Sequence, residues 1–353
     1  MGQQSIIRNW PRSSENYYQL REDTMPISDR KKLMWDKARG RGGWSGRDET
    51  WDGKDVNDHI ENWMKDMGMF RDTDIPKSGR LDECLVVGGT IGTNFVLAKN
   101  RDRKVPPTVS IVRKLSKKGT EMVLMYDKRT RYVEGMNQHG IGVLNATLLN
   151  EEDSRSRSGY NHRQGNIIHR ALCCKSVHEA IGIISTHSGG LEGHTIVSDP
   201  LRMYHIELMH GKQAKVSQLD PTTGWDARTN HGIAFSEAGY MPKDGKIYLS
   251  SNYRKSMAEI ELQGVESEQD IMKIMRQQHN DPDSHMNMHR RVPKDAEEHG
   301  GFITTSQVVL NLTDLHFLFH SYNGHCDFQE NIEDLTPEDY EPKIKITISM
   351  SDD

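Results

Sequence analysis

The chain has 353 residues, 34% apolar and 27% charged, with a mean hydropathy of -0.76 and a formal charge of -5. That length can bury a full core in one large domain or two ordinary ones. The slight acidity gives no electrostatic reason to expect nucleic-acid binding, and no apolar run reaches the roughly 18 residues that would span a bilayer.

Residues 1–83 differ from the rest. Five of the six tryptophans lie there: Trp10, Trp35, Trp44, Trp51 and Trp63. Tails that stay disordered are poor in aromatics, so this extension is expected to pack on the main domain or on a partner, with a short helix around Val56–Met67. The opening residues lack a secretory apolar stretch, and Ile6 stands where a myristoylation signal needs Ser or Thr. The run Pro76-Lys77-Ser78-Gly79-Arg80 reads as a loop just before Cys84.

From Cys84 to Asp102 the pattern predicts two short strands. Cys84 opens the first, a tight turn lies within Gly88-Gly89-Thr90-Ile91-Gly92, and Lys99-Asn100-Arg101-Asp102 closes the second. Short apolar runs at Thr108–Val112, Met122–Tyr126 and Gly142–Leu148 continue the β-rich pattern, and residues 151–165 read as an exposed loop. Helical spacing appears over residues 166–186, at Ile167, Ile168, Ala171, Leu172, Val177, Ala180, Ile181 and Ile184. Further strands are predicted at Thr195–Val197, Met203–Leu208 and Lys246–Ser250, then helices over Arg254–Glu261 and from Glu268 to His279. Residues 280–300 read as a polar surface excursion, and strands return at Thr304–Leu310 and His316–His320. Strands, helices and strands again predict an α+β fold with helices covering stacked sheets.

The cysteines are Cys84, Cys173, Cys174 and Cys326, with no Cys-x-x-Cys pair. The expectation is free thiols and a reducing, cytoplasmic setting. A thiol faced by cations from an adjacent strand suits attack on an amide carbonyl, because neighbouring positive charge eases thiolate formation. Among 17 histidines, His285/His289 and His316/His320 stand four apart, but neither pair comes with a third ligand at zinc-like spacing, so no metal is expected.

Four segments fall in order: Cys84 with Asn100-Arg101-Asp102; Glu134-Gly-Met-Asn-Gln-His-Gly-Ile-Gly-Val-Leu-Asn145; Arg228-Thr229-Asn230-His231; and Leu249-Ser-Ser-Asn-Tyr-Arg254. In this order and spacing, over roughly 84–330, they resemble the N-terminal nucleophile (Ntn) hydrolases. The likeness is to the choloylglycine hydrolase and penicillin acyltransferase-like branch, which cleaves linear amide C–N bonds. The run Ser176-Val177-His178-Glu179-Ala180 resembles a helix of that family. The resemblance implies a four-layer αββα sandwich over 84–353, preceded by an extension or propeptide over 1–83.

It also implies roles. Cys84 would be the nucleophile, freed by cleavage after Glu83 so that its own α-amino group acts as base. Glu83 is larger than the residue many self-cleaving relatives place there. Asp102 would hold that amine, and Arg101, or alternatively Lys99, would supply positive charge near the thiolate. Asn145 and Asn230 would stabilise the oxyanion, with Asn137 and Gly140 shaping the turn before Asn145, and Arg254 would orient the nucleophile region. His231 would not be a base. The expected partner is a small-molecule amide, with no external cofactor, no nucleic acid and no membrane, and a homo-oligomer is left open. The alternatives are a non-catalytic binding protein whose Trp-rich extension docks on a partner, and a cysteine peptidase with a histidine base.

Overall fold

Strand parity organises the molecule. In the computed structural model, β1 (Asp82–Ile91) pairs antiparallel with β2 (Asn94–Arg103), placing Cys84 opposite Arg101 and Val86 opposite Lys99. Successive side chains of a strand point to opposite faces. Accordingly Cys84, Val86 and Leu97 join one apolar cluster, while Leu85, Val87, Val96 and Ala98 join another. The structure describes residues 82–350, apart from 104–106, 117–118, 129–131, 149–159, 187–190, 210, 279–283, 285, 292–301, 323–324 and 332–340. The expected extension, save Asp82 and Glu83, and its helix at Val56–Met67 lie outside the described residues.

Two sheets result. The first joins β1 and β2 to β10 (Asp226–Arg228), β11 (Ile303–Asn311), β12 (His316–Ser321) and β14 (Lys345–Met350), in the order β10-β1-β2-β11-β12-β14. The second is built from β3 (Thr108–Leu115), β4 (Glu121–Asp127), β5 (Val133–Asn137), β6 (Gly142–Ala146), β7 (Gly193–Ser198), β8 (Met203–Leu208), β9 (Lys215–Leu219) and β13 (His325–Asn331). Its order is β13-β3-β4-β5-β6-β7-β8-β9. The pairings are antiparallel except β12 with β14 and β13 with β3.

Three apolar layers separate four structural ones. Val86 and Leu97 of the first sheet meet Ile111, Val123, Met125 and Leu144 of the second. The other face of the second sheet, with Met122, Leu124, Val143 and Val197, packs on α1 (Tyr160–Leu172) and α2 (Val177–Thr186). The other face of the first sheet packs on α3 (Lys246–Glu261) and α4 (Glu268–Met275) through Ala258, Leu262, Ile271 and Met275. This is the α+β, αββα sandwich that the resemblance implied.

Several boundaries differ from expectation. The helical run over 166–186 is two helices, and the first already begins at Tyr160, inside the expected loop. Asn137 Nδ2 donates 2.8 Å hydrogen bonds to the carbonyls of Leu172 and Cys174, satisfying groups that a helix end leaves open. Lys246–Ser250, expected as a strand, is the first part of α3. Ser250, Arg254 and Ala258 recur four apart and are all buried, so the polar run wraps one helical face onto the sheet. Helix α4 stops at Met275 rather than His279. The strands β5, β9, β10, β13 and β14 were not anticipated: β5, β9 and β10 are short and β13 is poor in apolar residues, whereas β14 does alternate Ile346, Ile348 and Met350 and its signal was missed.

The turn expected within Gly88–Gly92 is confined to Gly92 and Thr93, between paired Ile91 and Asn94, and Gly92 has a φ of 57°. Gly88 and Gly89 belong to β1 and are small because neighbours press on them. A Cβ on Gly88 would meet Met203 Sδ at 2.5 Å, and one on Gly89 would meet the Trp225 ring at 2.4 Å. Gly89→Ala is therefore expected to lower stability by about 1–3 kcal/mol through overpacking. A urea midpoint unchanged from wild type would contradict that close approach.

Candidate active site

The β1–β2 register divides the charged cluster between two faces. Lys99 and Arg101 share the face of Cys84, between the sheets, whereas Glu83, Asn100 and Asp102 point toward the helical layer. All of these side chains are buried.

On the thiol's face, Lys99 Nζ donates to Glu134 Oε1 at 2.5 Å and to the Asn145 carbonyl at 2.7 Å. Glu134 Oε1 also accepts from the Tyr132 hydroxyl and from the Asn145 amide. Arg101 and Arg103 both bind Asp127 at 2.9 Å. The Tyr132 ring lies near both cations, 5.4 Å from Lys99 and 5.7 Å from Arg101. Burial pushes the Cys84 thiol up to about 11; Lys99 opposes this most strongly, Glu134 and Asp102 add to it, and Arg101 opposes it more weakly. Both candidate cations thus share the thiol's side, and Lys99 dominates.

The helical face holds a second network. Arg254 Nη1 donates to Asp102 Oδ2 at 3.0 Å, and its Nη2 donates to Glu83 Oε2 at 3.1 Å and Asn230 Oδ1 at 3.4 Å. Arg290 Nη1 donates to the same Glu83 oxygen, its Nη2 donates to Ser250 Oγ at 2.9 Å, and the Tyr240 hydroxyl donates to Glu83 Oε1. Thr304 Oγ1 donates to Asp102 Oδ1 at 2.7 Å. Burial raises the Asp102 carboxyl, against the pull of Arg290 and Arg254.

The expected residues mostly converge. Asn230 Oδ1 accepts the backbone N–H of Cys84 at 3.2 Å, and its Nδ2 donates to the Thr147 carbonyl at 3.0 Å. One geometrical expectation changes: the Cys84 nitrogen meets Asn230, while the Asp102 carboxylate is engaged by Arg254 and Thr304. Asn145 is tied to the thiol's surroundings through Lys99 and Glu134, and its Nδ2 donates to Thr195 Oγ1 at 3.0 Å. The Asn137 carboxamide shapes the preceding turn, its Oδ1 accepting from His139 and Ile141. His231 Nδ1 pairs with Ser251 and Thr229 rather than with Cys84.

Sequence reasoning missed Glu83, Tyr132, Glu134, Tyr240 and Arg290 as site residues. Arg290 sits in the stretch read as surface excursion, yet Asn287, Met288, His289 and Arg290 are buried. Their apolar content is too sparse to betray that. Glu134 stood inside a quoted motif with no role assigned.

His285 lies outside the described residues, and among those described His289, His316 and His320 join no group of converging metal-ligating side chains. His316 binds Glu268 and Thr347, His320 binds Ser349, and His289 packs on Tyr322. A different group, His194, His205 and Glu207, does converge within 4.8 Å. Glu207 accepts from the N–H groups of Ile233, Ala234 and Phe235. His205 Nε2 reaches His194 Nδ1 at 2.9 Å, and His194 Nε2 reaches the His231 carbonyl at 2.8 Å. Neutral imidazoles with His205 and His194 each protonated at Nε2 satisfy that chain without a cation. Burial lowers His194 to about 3 and His205 to about 2.

Comparison with known proteins places the chain. Residues 90–309, well over half of the chain, match the family model described as acyl-coenzyme A:6-aminopenicillanic acid acyl-transferase. The chain belongs to this family. The matched span includes Lys99, Arg101, Asp102, Asn145, Asn230, Arg254 and Arg290, and begins just after Cys84. Among solved structures, a variant of conjugated bile acid hydrolase from Clostridium perfringens is similar at 14% identity and a TM-score of 0.36, over 68% of this chain and 89% of that one. No curated protein matches. No helix among the described residues is long and apolar enough to cross a membrane.

Linkage gives a pH prediction. His194 and His205 stay neutral when folded but take protons near 6.5 when unfolded, so their contribution to stability is present above pH 6.5 and is lost as pH falls toward the folded values. The Tm should fall as pH drops below 6.5, and His205→Gln should flatten that slope. A wild-type Tm independent of pH over that window would contradict buried neutral imidazoles.

Proposed function

We propose that this protein is a cysteine Ntn amidohydrolase or acyltransferase that acts on linear amide C–N bonds through an acyl group carried on Cys84. Family membership supports the amide chemistry. The observation that carries the finer reading is the 3.2 Å contact between the Cys84 N–H and Asn230 Oδ1. It puts a carboxamide, itself touched by Arg254, on the Glu83–Cys84 peptide, with Lys99 on the thiol's face.

The first reaction is self-processing. The Cys84 sulfur attacks the Glu83 carbonyl carbon, the C–N bond breaks, the thiol proton passes to the departing nitrogen, and a thioester forms. Water then adds its hydroxyl to the Glu83 carbonyl and its proton to the sulfur. The products are a Glu83 carboxylic acid, which gives its proton up to solvent to become a carboxylate, and a chain headed by a neutral Cys84 amine.

That new α-amine has an ordinary pKa of about 7.7–8.0, within working range for proton transfer. It takes the thiol proton as the sulfur attacks a substrate amide and gives it to the leaving amine. Water or a second amine then releases the acyl group. Each amide nitrogen carries two hydrogens. Asn230 Nδ2 and Asn145 Nδ2 each commit one donor bond to Thr147 and Thr195, which leaves a second hydrogen on each to meet a developing oxyanion. Asp102, held by Arg254, supports the amine from the helical side. His231 is occupied by Ser251 and Thr229, which favours the amine over a histidine base.

The test is to quench the purified protein during turnover of simple N-acyl amides and map the acyl mass. It should sit on the peptide headed by Cys84, and Cys84→Ala should abolish turnover. Asn230→Ala should lower kcat by roughly 10²–10³-fold, the usual loss for one oxyanion donor. Full turnover by Cys84→Ala would refute the scheme.

A further inference from the structure

Resting on that reading, we propose that the buried pocket now holding the Glu83 side chain becomes the acyl-binding pocket of the processed enzyme and selects acyl groups that carry a carboxylate, glutaryl or α-glutamyl in kind. The same sulfur attacks both carbonyls. In self-processing the acyl part of the scissile bond is Glu83 itself. A later substrate whose carbonyl carbon meets the same sulfur and the same asparagines sends its acyl chain the same way.

What the pocket offers is specific for a carboxylate. Glu83 is buried, and its two oxygens accept from Tyr240, Arg254 and Arg290. Arg254 and Arg290 are themselves almost wholly buried, at 0% and 4% exposure. Their positions are set independently of Glu83, by Asp102 and Asn230 for one and by Ser250 for the other. Donors so held are preorganised for the next anion. Among the described residues, Arg254 and Arg290 face the carboxylates of Glu83 and Asp102, and departure of Glu83 removes one of those anions. Buried charge is costly when left uncompensated, so an incoming acyl carboxylate restores the balance that Glu83 provided.

The length of the glutamate side chain sets the reach. A glutaryl amide places its carboxylate as far from the reacting carbonyl as Glu83 does; succinyl falls short and adipyl overshoots. The pentanoyl amide has similar size without the charge.

The experiment uses the purified, processed protein with anilides of glutaric, succinic, adipic and pentanoic acids, and measures protection of Cys84 from iodoacetamide by free glutarate or pentanoate. The expected result is kcat/KM for the glutaryl anilide roughly 30-fold or more above the pentanoyl anilide, with succinyl and adipyl between. Glutarate should protect the thiol, pentanoate should not, and Arg290→Met should erase both preferences. The protection assay on wild type stands even where Arg290→Met fails to fold. Equal turnover of glutaryl and pentanoyl anilides, with acyl groups still trapped on Cys84 and no glutarate protection, overturns the pocket while the acyl-enzyme stands. Absence of any acyl group on Cys84 from all four anilides overturns both.

Discussion

The register of β1 against β2 is the constraint on which the rest depends. Pairing Cys84 with Arg101 sends the thiol, Lys99 and Arg101 into the space between the sheets and sends Glu83 and Asp102 toward α3. A slip of one residue would exchange the two faces. If β1 slipped, the thiol would meet Arg254 and Arg290, and Glu83 would leave those guanidiniums for the thiol's place beside Met125, Leu144 and Phe319. Packing enforces the register from both sides: Gly88 makes room for Met203 and Gly89 for Trp225, on opposite faces of the strand.

Each face then does different work. Between the sheets, Lys99 is shared by Glu134 and the Asn145 carbonyl, so the cation nearest in effect to the sulfur is fixed by two strands of the opposite sheet. On the helical side, α3 delivers Ser250, Ser251 and Arg254 from one face. Ser251 Oγ accepts the Asn230 N–H, and Arg254 touches the Asn230 carboxamide that receives the Cys84 nitrogen. The polar character of α3 follows from this duty. It packs on the first sheet partly through ion pairs, which is why its sequence does not announce itself as an amphipathic helix.

Much of this was legible in residue order. Cys84 facing a charged cluster suggested attack on an amide carbonyl, the two asparagines and Arg254 were named through the family resemblance of their segments, and the apolar positions of α1 and α2 read directly as helix. What stayed hidden depends on tertiary contact. Arg290 lies in a polar stretch whose burial is achieved by pairing with Glu83 and Ser250, and polar residues buried through partners leave no periodic signature. Glu83 looked like an awkward residue before the proposed scissile bond, and the donors Tyr240, Arg254 and Arg290 show why a long acid fits there. Lys246–Ser250 was misread as a strand because a short run ending in Leu and Ser carries no period that separates the two states.

The central claim is that Cys84 heads the working chain. Intact-mass measurement of the freshly purified protein beside its Cys84→Ala variant tests this most directly. The account predicts a wild-type fragment whose first residue is Cys84, with Glu83 as the free carboxyl end of the released segment, and an uncut variant. A wild-type preparation that turns over amides while every molecule retains the Glu83–Cys84 bond would contradict it.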